Sequence, residues 1–235
     1  MKDKIEIKDK IKPFNKEIYV DGDKSLSIRW LLLASQSNGT SKARGILKSE
    51  DVLNTINCLK KLGVKIKIKN NQCVLKGVGI NGFNYKKNLT LNAGNSGTLA
   101  RLILGLLVHS TEKIKLVGDK SLSKRDFFRV IKPLKKFGAK FKYKKKGLPL
   151  SIEGTNKPKS IKYFENRGSA QCKSSVMLAS LNTSGITEIK AKKSRNHTEL
   201  FFKSLNIPIK IKKNKSFDLI KTKGVKKIKS LNYNI

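Results

Sequence analysis

Cysteine is scarce in this chain of 235 residues: Cys58, Cys73 and Cys172 stand far apart. Three scattered thiols make neither a disulfide framework nor a zinc site, and the expectation is a reduced, cytosolic protein. No apolar run approaches the ~18–20 residues that a membrane span needs. The opening MKDKIEIKDK is charged and has no apolar signal-peptide core. Histidine occurs twice, without a Cys/carboxylate cluster at ligand spacing, so neither a metal site nor a Ser/His/Asp set is expected. The glycines form no strand–GxxxxGK[ST] loop, and Gly94-Asn95-Ser96-Gly97 lacks the spacing of a nucleophile elbow.

Acidic residues are also few, 16 against 53 lysines and arginines, for a formal net charge of +37. Only seven of the basic residues are arginine, and the remaining 46 are lysines spread from one end of the chain to the other. A nucleic-acid groove would concentrate charge in one stripe and add stacking aromatics. Here aromatics make up 7% of the chain, and lysines alternate with Ile, Val and Leu in stretches such as VKIKIK. That pattern reads as the wet face of strands, with a polyanion- or nucleic-acid-binding module kept as the alternative. A field of this sign would also steer a small anionic substrate.

The chain repeats itself three times. Runs opening with serine start at Ser25 (SLSIRWLLLASQS), Ser96 (SGTLARLILGLLVHS) and Ser169 (SAQCKSSVMLASLNTS), spaced by 71 and then 73 residues. Each is read as an amphipathic helix, followed by a short strand segment, a second helix and alternating hairpin text. The second helices are SEDVLNTINCLKKLG, RDFFRVIKPLKKFG and HTELFFKSLN. Gly63 and Gly138 stand where helix-terminating glycines belong. Three strand–helix–strand–helix–hairpin units follow, at about 21–80, 81–155 and 156–228, preceded by a strand or crossover segment over 1–20. His109, ending an apolar helix, reads as a packing or surface residue.

The starts of the first helices are DGDKSLSIR, NAGNSGTLAR and RGSAQCKSS. Helix N-termini present bare N–H groups and partial positive charge, so three of them converging would hold a small polyanion. Lys24 and Arg29 add charge to the first, Arg101 to the second and Lys173 to the third. Taken singly, each Ser or Thr reads more readily as a plain helix cap than as a ligand contact. Arg125, beside another helix start in GDKSLSKRDFF, could grip a carboxylate or phosphate with two N–H groups. The matching place in the third unit, KKSRNHTEL, offers Ser194, Arg195 and His197, with Asn196-His197-Thr198 also readable as a cap.

On the blocks DKSLSIRWLLLAS, GNSGTLARLILGLL, GDKSLSKRDFFRVIKPLKKFGA, SAQCKSSVMLAS and SRNHTE, in that order over nearly the whole chain, the sequence resembles the 5-enolpyruvylshikimate-3-phosphate (EPSP) synthase family. The SAQ and SRxHTE forms resemble its glyphosate-tolerant branch. The related UDP-N-acetylglucosamine enolpyruvyl transferases share the fold but lack the DKS and SLSKR blocks. The resemblance implies an α/β class, an inverted α/β barrel domain of three βαβαββ units. It implies an enzyme that moves the carboxyvinyl group of phosphoenolpyruvate onto the 5-hydroxyl of shikimate 3-phosphate, through a tetrahedral intermediate and with no cofactor. Carried over by motif, Lys24 touches both substrates and assists proton transfer. Ser25, Arg29, Ser169, Ala170, Ser194 and Arg195 bind shikimate 3-phosphate. Asn95, Gly97 and Arg125 line the phosphoenolpyruvate pocket, with Thr98 and Arg101 shaping that loop, and Gln171 lies between the ligands.

Two departures accompany the resemblance. Ile28 stands where the family usually has a polar residue, beside a retained Arg29. Family members also run to about twice this length, and their second domain supplies catalytic carboxylates and further phosphoenolpyruvate-binding Arg and Lys residues. The expectation is therefore a chain that holds the shikimate 3-phosphate half-site, works with a separate C-terminal domain, and turns over little or nothing alone.

Overall fold

The computed structural model describes residues 6, 8–10, 12–13, 15–18, 20–69 and 71–235. The elements fall into three successive groups. The first comprises α1 (Lys24–Ser35), β1 (Thr40–Arg44), α2 (Glu50–Lys61), β2 (Lys65–Lys69) and β3 (Gln72–Lys76). The second comprises β4 (Thr90–Asn92), α3 (Gly97–Leu107), β5 (Ile114–Val117), a short α4 (Lys120–Ser123), α5 (Phe128–Lys136), β6 (Lys140–Tyr143) and β7 (Leu150–Glu153). The third comprises β8 (Lys162–Glu165), α6 (Ala170–Ala179), β9 (Ile186–Lys192), α7 (His197–Ser204), β10 (Ile209–Lys213) and β11 (Phe217–Lys223), and β12 (Asn232–Asn234) follows.

Each group builds one four-stranded sheet of the same order: β4-β5-β7-β6 in the second, β8-β9-β11-β10 in the third and β12-β1-β3-β2 in the first. The leading pair is parallel in every sheet and the other pairs are antiparallel. The opening strand of the first sheet is thus supplied from the far side of the sequence, with Lys42 opposite Asn232 and Arg44 opposite Asn234. The sequence reading places an opening strand or crossover segment over 1–20. Residues 1–5, 7, 11, 14 and 19 of that stretch lie outside the described residues, and the described ones carry no helix or strand. Asn70 of the first hairpin turn also lies outside them, while Asn71 takes the left-handed conformation (φ 59°) that such a turn demands.

The first helices of the three groups are not amphipathic, as their text suggested. Every residue of α1 from Ser27 to Ser35 and of α6 from Cys172 to Ala179 is buried, and α3 buries all but Thr98 and Arg101. A helix buried on nearly every side belongs in the middle of a domain. α3 packs most extensively on α6 and also meets α1. Gly105 permits the closest approach, since a Cβ there would collide with the Ser175 carbonyl. The one-faced helices are the second ones: α2 buries Val52, Thr55, Ile56 and Leu59, and α5 buries Val130, Ile131 and Leu134. Gly63 and Gly138, just past their ends, have φ of 88° and 110°, as left-handed helix stops require. With helices central and sheets outside, the fold is an inverted α/β architecture.

The lysines lie where the alternation put them, exposed at positions 65, 67 and 69 of β2, 140 and 142 of β6, and 210, 212 and 213 of β10. They are distributed over three different sheets rather than along one stripe.

The hexapeptide Gly-Asp-Lys-Ser-Leu-Ser occurs twice, at 22–27 and 118–123. Both copies make the same cap: Asp23 accepts the Leu26 N–H at 2.7 Å, and Asp119 the Leu122 N–H at 2.6 Å. Their continuations differ. Ile28 to Ala34 are buried and carry α1 through three turns, whereas Lys124-Arg125-Asp126 offers no apolar stripe and α4 stops at once. Caps start helices, and burial decides whether they continue.

Candidate functional site

The three central helices start alike. Asp23 caps α1, Ser96 caps α3 through the Leu99 N–H at 3.2 Å, and Ser169 caps α6 through the Cys172 N–H at 3.2 Å. Asp23, not Ser25, is thus the first cap, and Ser25 sits one residue into the helix. In each case the cap consumes the third N–H. The N–H groups of the first two residues have no intrahelical acceptor: Lys24 and Ser25, Gly97 and Thr98, Ala170 and Gln171. Glu165, only 3% exposed, props the third junction by accepting from the Ser169 N–H at 2.8 Å and the Arg167 N–H at 3.2 Å.

Side chains tie these starts together in two clusters that meet on α6. In the first, Gln171 donates through Nε2 to Thr98 Oγ1 at 3.0 Å and accepts from Arg101 Nη1 at 2.9 Å. Arg125 Nη2 donates to Asn95 Oδ1 at 2.8 Å, and Asn95 Nδ2 donates to Asp119 Oδ2 at 2.6 Å. Gly97 lies between the two guanidinium groups, and a Cβ there would stand 2.8 Å from Arg125 Nη1 and 2.9 Å from Arg101 Nη1. Two guanidinium groups beside a helix N-terminus have the chemistry to bind an anion with several oxygens. Burial holds the Arg101 guanidinium below its usual pKa.

The second cluster centres on Arg29, which is 4% exposed. Its Nε donates to Thr198 Oγ1 at 2.9 Å, Nη1 to the Ser25 carbonyl at 3.0 Å and Nη2 to Ser174 Oγ at 3.4 Å. Thr198 in turn donates to Ser174 at 2.7 Å, joining α1, α6 and α7. Burial pulls the Arg29 pKa down to about 10, which leaves it charged at neutral pH. Ser194 Oγ and His197 Nδ1 are buried without a hydrogen-bond partner, and Arg195 is exposed. His197 does not act as a cap: Asn196 holds that position without a side-chain bond. Burial first, then the Arg29 charge, holds the His197 pKa below the usual range, with Asp23 opposing.

Two residues stand differently from the expectation. Lys24 reaches neither cluster and pairs with Asp51 Oδ2 at 3.3 Å, half-exposed. Lys173, read as a charge offered by the third helix start, is 1% exposed and turned inward onto Glu199. Gln171 faces the other junction in its place. Among the described residues no group of His, Cys, Asp or Glu is arranged to hold a metal, and no helix is long and apolar enough to cross a membrane.

The family model for EPSP synthase (3-phosphoshikimate 1-carboxyvinyltransferase) matches residues 8–235. The chain belongs to the EPSP synthase family. A 3-phosphoshikimate 1-carboxyvinyltransferase of Streptococcus pyogenes serotype M1 is 42% identical over 190 residues, covering 80% of this chain and 44% of the relative. A solved EPSP synthase of Acinetobacter baumannii superposes with a TM-score of 0.85 at 33% identity, covering 93% of this chain and 49% of that one. The chain therefore spans about half the length of the EPSP synthases it matches.

Four contributors to these contacts escape a reading of the motifs: Asp51, Asp119, Ser174 and Thr198. The doubled GDKSLS marks Asp119, because the equivalent Asp23 opens a junction. Ser174 and Thr198 carry no such signal, since only packing of α7 on α6 brings them to Arg29.

Proposed function

We propose that residues 21–235 form the shikimate 3-phosphate-binding domain of a cytoplasmic 3-phosphoshikimate 1-carboxyvinyltransferase of aromatic amino acid biosynthesis. In the reaction, the 5-hydroxyl of shikimate 3-phosphate gives up its proton as its oxygen bonds to C2 of phosphoenolpyruvate, while the C2–C3 double bond opens and C3 takes a proton. Elimination then breaks the C2–O bond to phosphate and removes a proton from the new methyl group, which restores the vinyl ether. Membership of the EPSP synthase family supports this reading. The observation that carries it is that α6 hydrogen-bonds to two cationic groups, to Arg101 through Gln171 and to Arg29 through Ser174, with Arg125 beside Arg101 at Gly97. Two anionic substrates need two cationic sites side by side, built before they arrive.

Arg29, Ser25, Ser169, Ala170, Gln171, Ser194 and Arg195 are assigned to shikimate 3-phosphate. Asn95, Gly97 and Arg125 are assigned to phosphoenolpyruvate, with Gln171 between the two. Lys24 leaves Asp51 to touch both substrates and to assist proton transfer. We further propose that turnover requires carboxylates from a second domain, because general acid–base catalysis needs a group within hydrogen-bond reach of the moving proton. Calorimetry on the 235-residue chain is expected to give saturable shikimate 3-phosphate binding, strongly preferred over inorganic phosphate. Equal affinity for the two would overturn the assignment. Phosphate release by this chain alone is expected to stay near background, and substantial turnover would contradict the half-site reading.

A further inference from the structure

A pair of opposite charges lies behind the Arg29 cluster. Lys173 Nζ is 2.6 Å from Glu199 Oε1, with side chains 1% and 3% exposed. The contact is charge on charge, without an aligned hydrogen bond, and Glu199 Oε2 has no hydrogen-bond partner. Desolvating two ions is costly, and apolar residues of the same volume often serve stability as well or better. Packing alone therefore gives no reason for this pair.

Its neighbours supply one. Lys173 precedes Ser174 on α6, and Glu199 follows Thr198 on α7. Ser174 and Thr198 are the two hydroxyls that hold Arg29. Glu199 is thus a buried carboxylate with a spare oxygen, adjacent in sequence to the residue that takes the Arg29 Nε–H. No ion pair among the described residues includes Arg29. A guanidinium prefers a carboxylate to a hydroxyl, because charge-assisted and bidentate bonds are the stronger ones. Left without another cation, Glu199 would draw Arg29 toward itself.

We propose that Lys173 is a positioning residue that occupies Glu199, so that Arg29 rests on neutral hydroxyls and keeps its guanidinium for the anionic substrate. The inference depends on the reading above that Arg29 binds shikimate 3-phosphate. Hydroxyl partners fix the direction of the guanidinium without cancelling its charge. A lysine suits the guarding role because its ammonium is a point charge on a long stem, which reaches Glu199 from inside the core and leaves the planar fork to Arg29.

The test compares shikimate 3-phosphate affinity by calorimetry, with melting curves, for the wild type, Lys173→Met, Glu199→Gln and the double variant. Lys173→Met is expected to weaken binding about tenfold or more, the size of a charge-assisted hydrogen bond lost to competition. Glu199→Gln alone, and the double variant, are expected to stay within about threefold of wild type, because neither leaves a carboxylate to capture Arg29. A pair that merely clamps α6 to α7 would make all three variants lose affinity together, and that outcome overturns the proposal. So does an unchanged Lys173→Met. Should Lys173→Met fail to fold, Glu199→Gln and the double variant decide, retained affinity supporting the proposal and lost affinity overturning it. If the wild type itself shows no preference for shikimate 3-phosphate over phosphate, the substrate reading has failed. The guard is then judged on ligand-free crystal structures of the Lys173→Met and double variants. Arg29 shifted onto Glu199 in Lys173→Met, but left on Thr198 in the double variant, supports it; Arg29 on Thr198 in both overturns it.

Discussion

Replacing Arg29 by methionine separates what this side chain does for folding from what it does for binding. Two of its hydrogen bonds, to Thr198 at 2.9 Å and Ser25 at 3.0 Å, have good length, and the third, to Ser174 at 3.4 Å, adds little. Bonds from a charged donor contribute about 1.5–3 kcal/mol each, so the favourable side is about 3–6 kcal/mol. Against it stands the desolvation that lowers the pKa from 12.5 to about 10, a cost of roughly 3 kcal/mol. Methionine keeps most of the apolar stem. The fold should lose on the order of 1–2 kcal/mol, a drop of a few degrees in Tm for a chain of this size.

Binding has no such offset, because the desolvation is already incurred in the free protein. Loss of the guanidinium should weaken shikimate 3-phosphate binding by about 1.5–3 kcal/mol, or about 10- to 150-fold. Arg29→Lys should fall between wild type and Arg29→Met, since it keeps the charge and loses the planar fork. Calorimetry at neutral pH, run on protein shown to be folded by circular dichroism, gives the affinities. A methionine variant that binds within about threefold of wild type would refute the assignment of Arg29 to the substrate. A loss of affinity that merely tracks the unfolded fraction would refute the separation of the two roles.

Gly97→Ala would push a methyl group between the Arg101 and Arg125 guanidinium groups, which are flexible side-chain ends able to give way. The fold should survive, while phosphoenolpyruvate affinity in the presence of shikimate 3-phosphate falls about tenfold, the low end of an overpacking cost; binding of shikimate 3-phosphate alone should hardly change, and equal losses for both ligands would contradict the two-cluster reading. His109 is buried, and its pKa is lowered from 6.5 to about 4 by that burial. The folded state therefore binds fewer protons than the unfolded one between these values, so its contribution is present above pH 6.5 and lost as pH falls toward about 4. Roughly 3 kcal/mol of stability rides on this titration. Urea midpoints for His109→Leu should decline less over that window than those of wild type, and parallel declines would show that His109 is not the group responsible.

The repeat, the two helices of each unit and the hairpins are legible in the sequence because periodicity, caps and stop glycines are local signals. What is not legible depends on tertiary partners. The first sheet takes its opening strand from Asn232–Asn234, and no local pattern distinguishes that assignment from one upstream. Lysine text also misleads at one place: Lys173, four residues past a capping serine, reads as an offered charge until its carboxylate partner 26 positions later is brought against it. Gln171, Arg101, Arg125 and Asn95 do meet around Gly97, although they come from three separate blocks of the sequence. The Arg29 partners come from α6 and α7 and become visible only when those helices pack.

The inward turn of Lys173 also bears on why three similar junctions do not carry three similar charges. Each cap leaves two bare N–H groups, so the backbone contribution repeats around the domain. Cations cannot repeat in the same way: several of them converging at a few ångströms would raise one another's energy before any ligand arrived. The domain instead assigns Arg29 and Lys24 to the first junction and Arg101 with Arg125 to the second. At the third, α6 presents neutral Gln171 to one cluster and Ser174 to the other, with its lysine neutralised by Glu199 in the core. The helix hydrogen-bonds to both cationic groups without adding a free charge of its own. A site shaped in this way suits two separate anions side by side better than one concentrated charge. On this account Gln171→Lys would harm both subsites, by repelling Arg101 and by placing a third charge between the ligands.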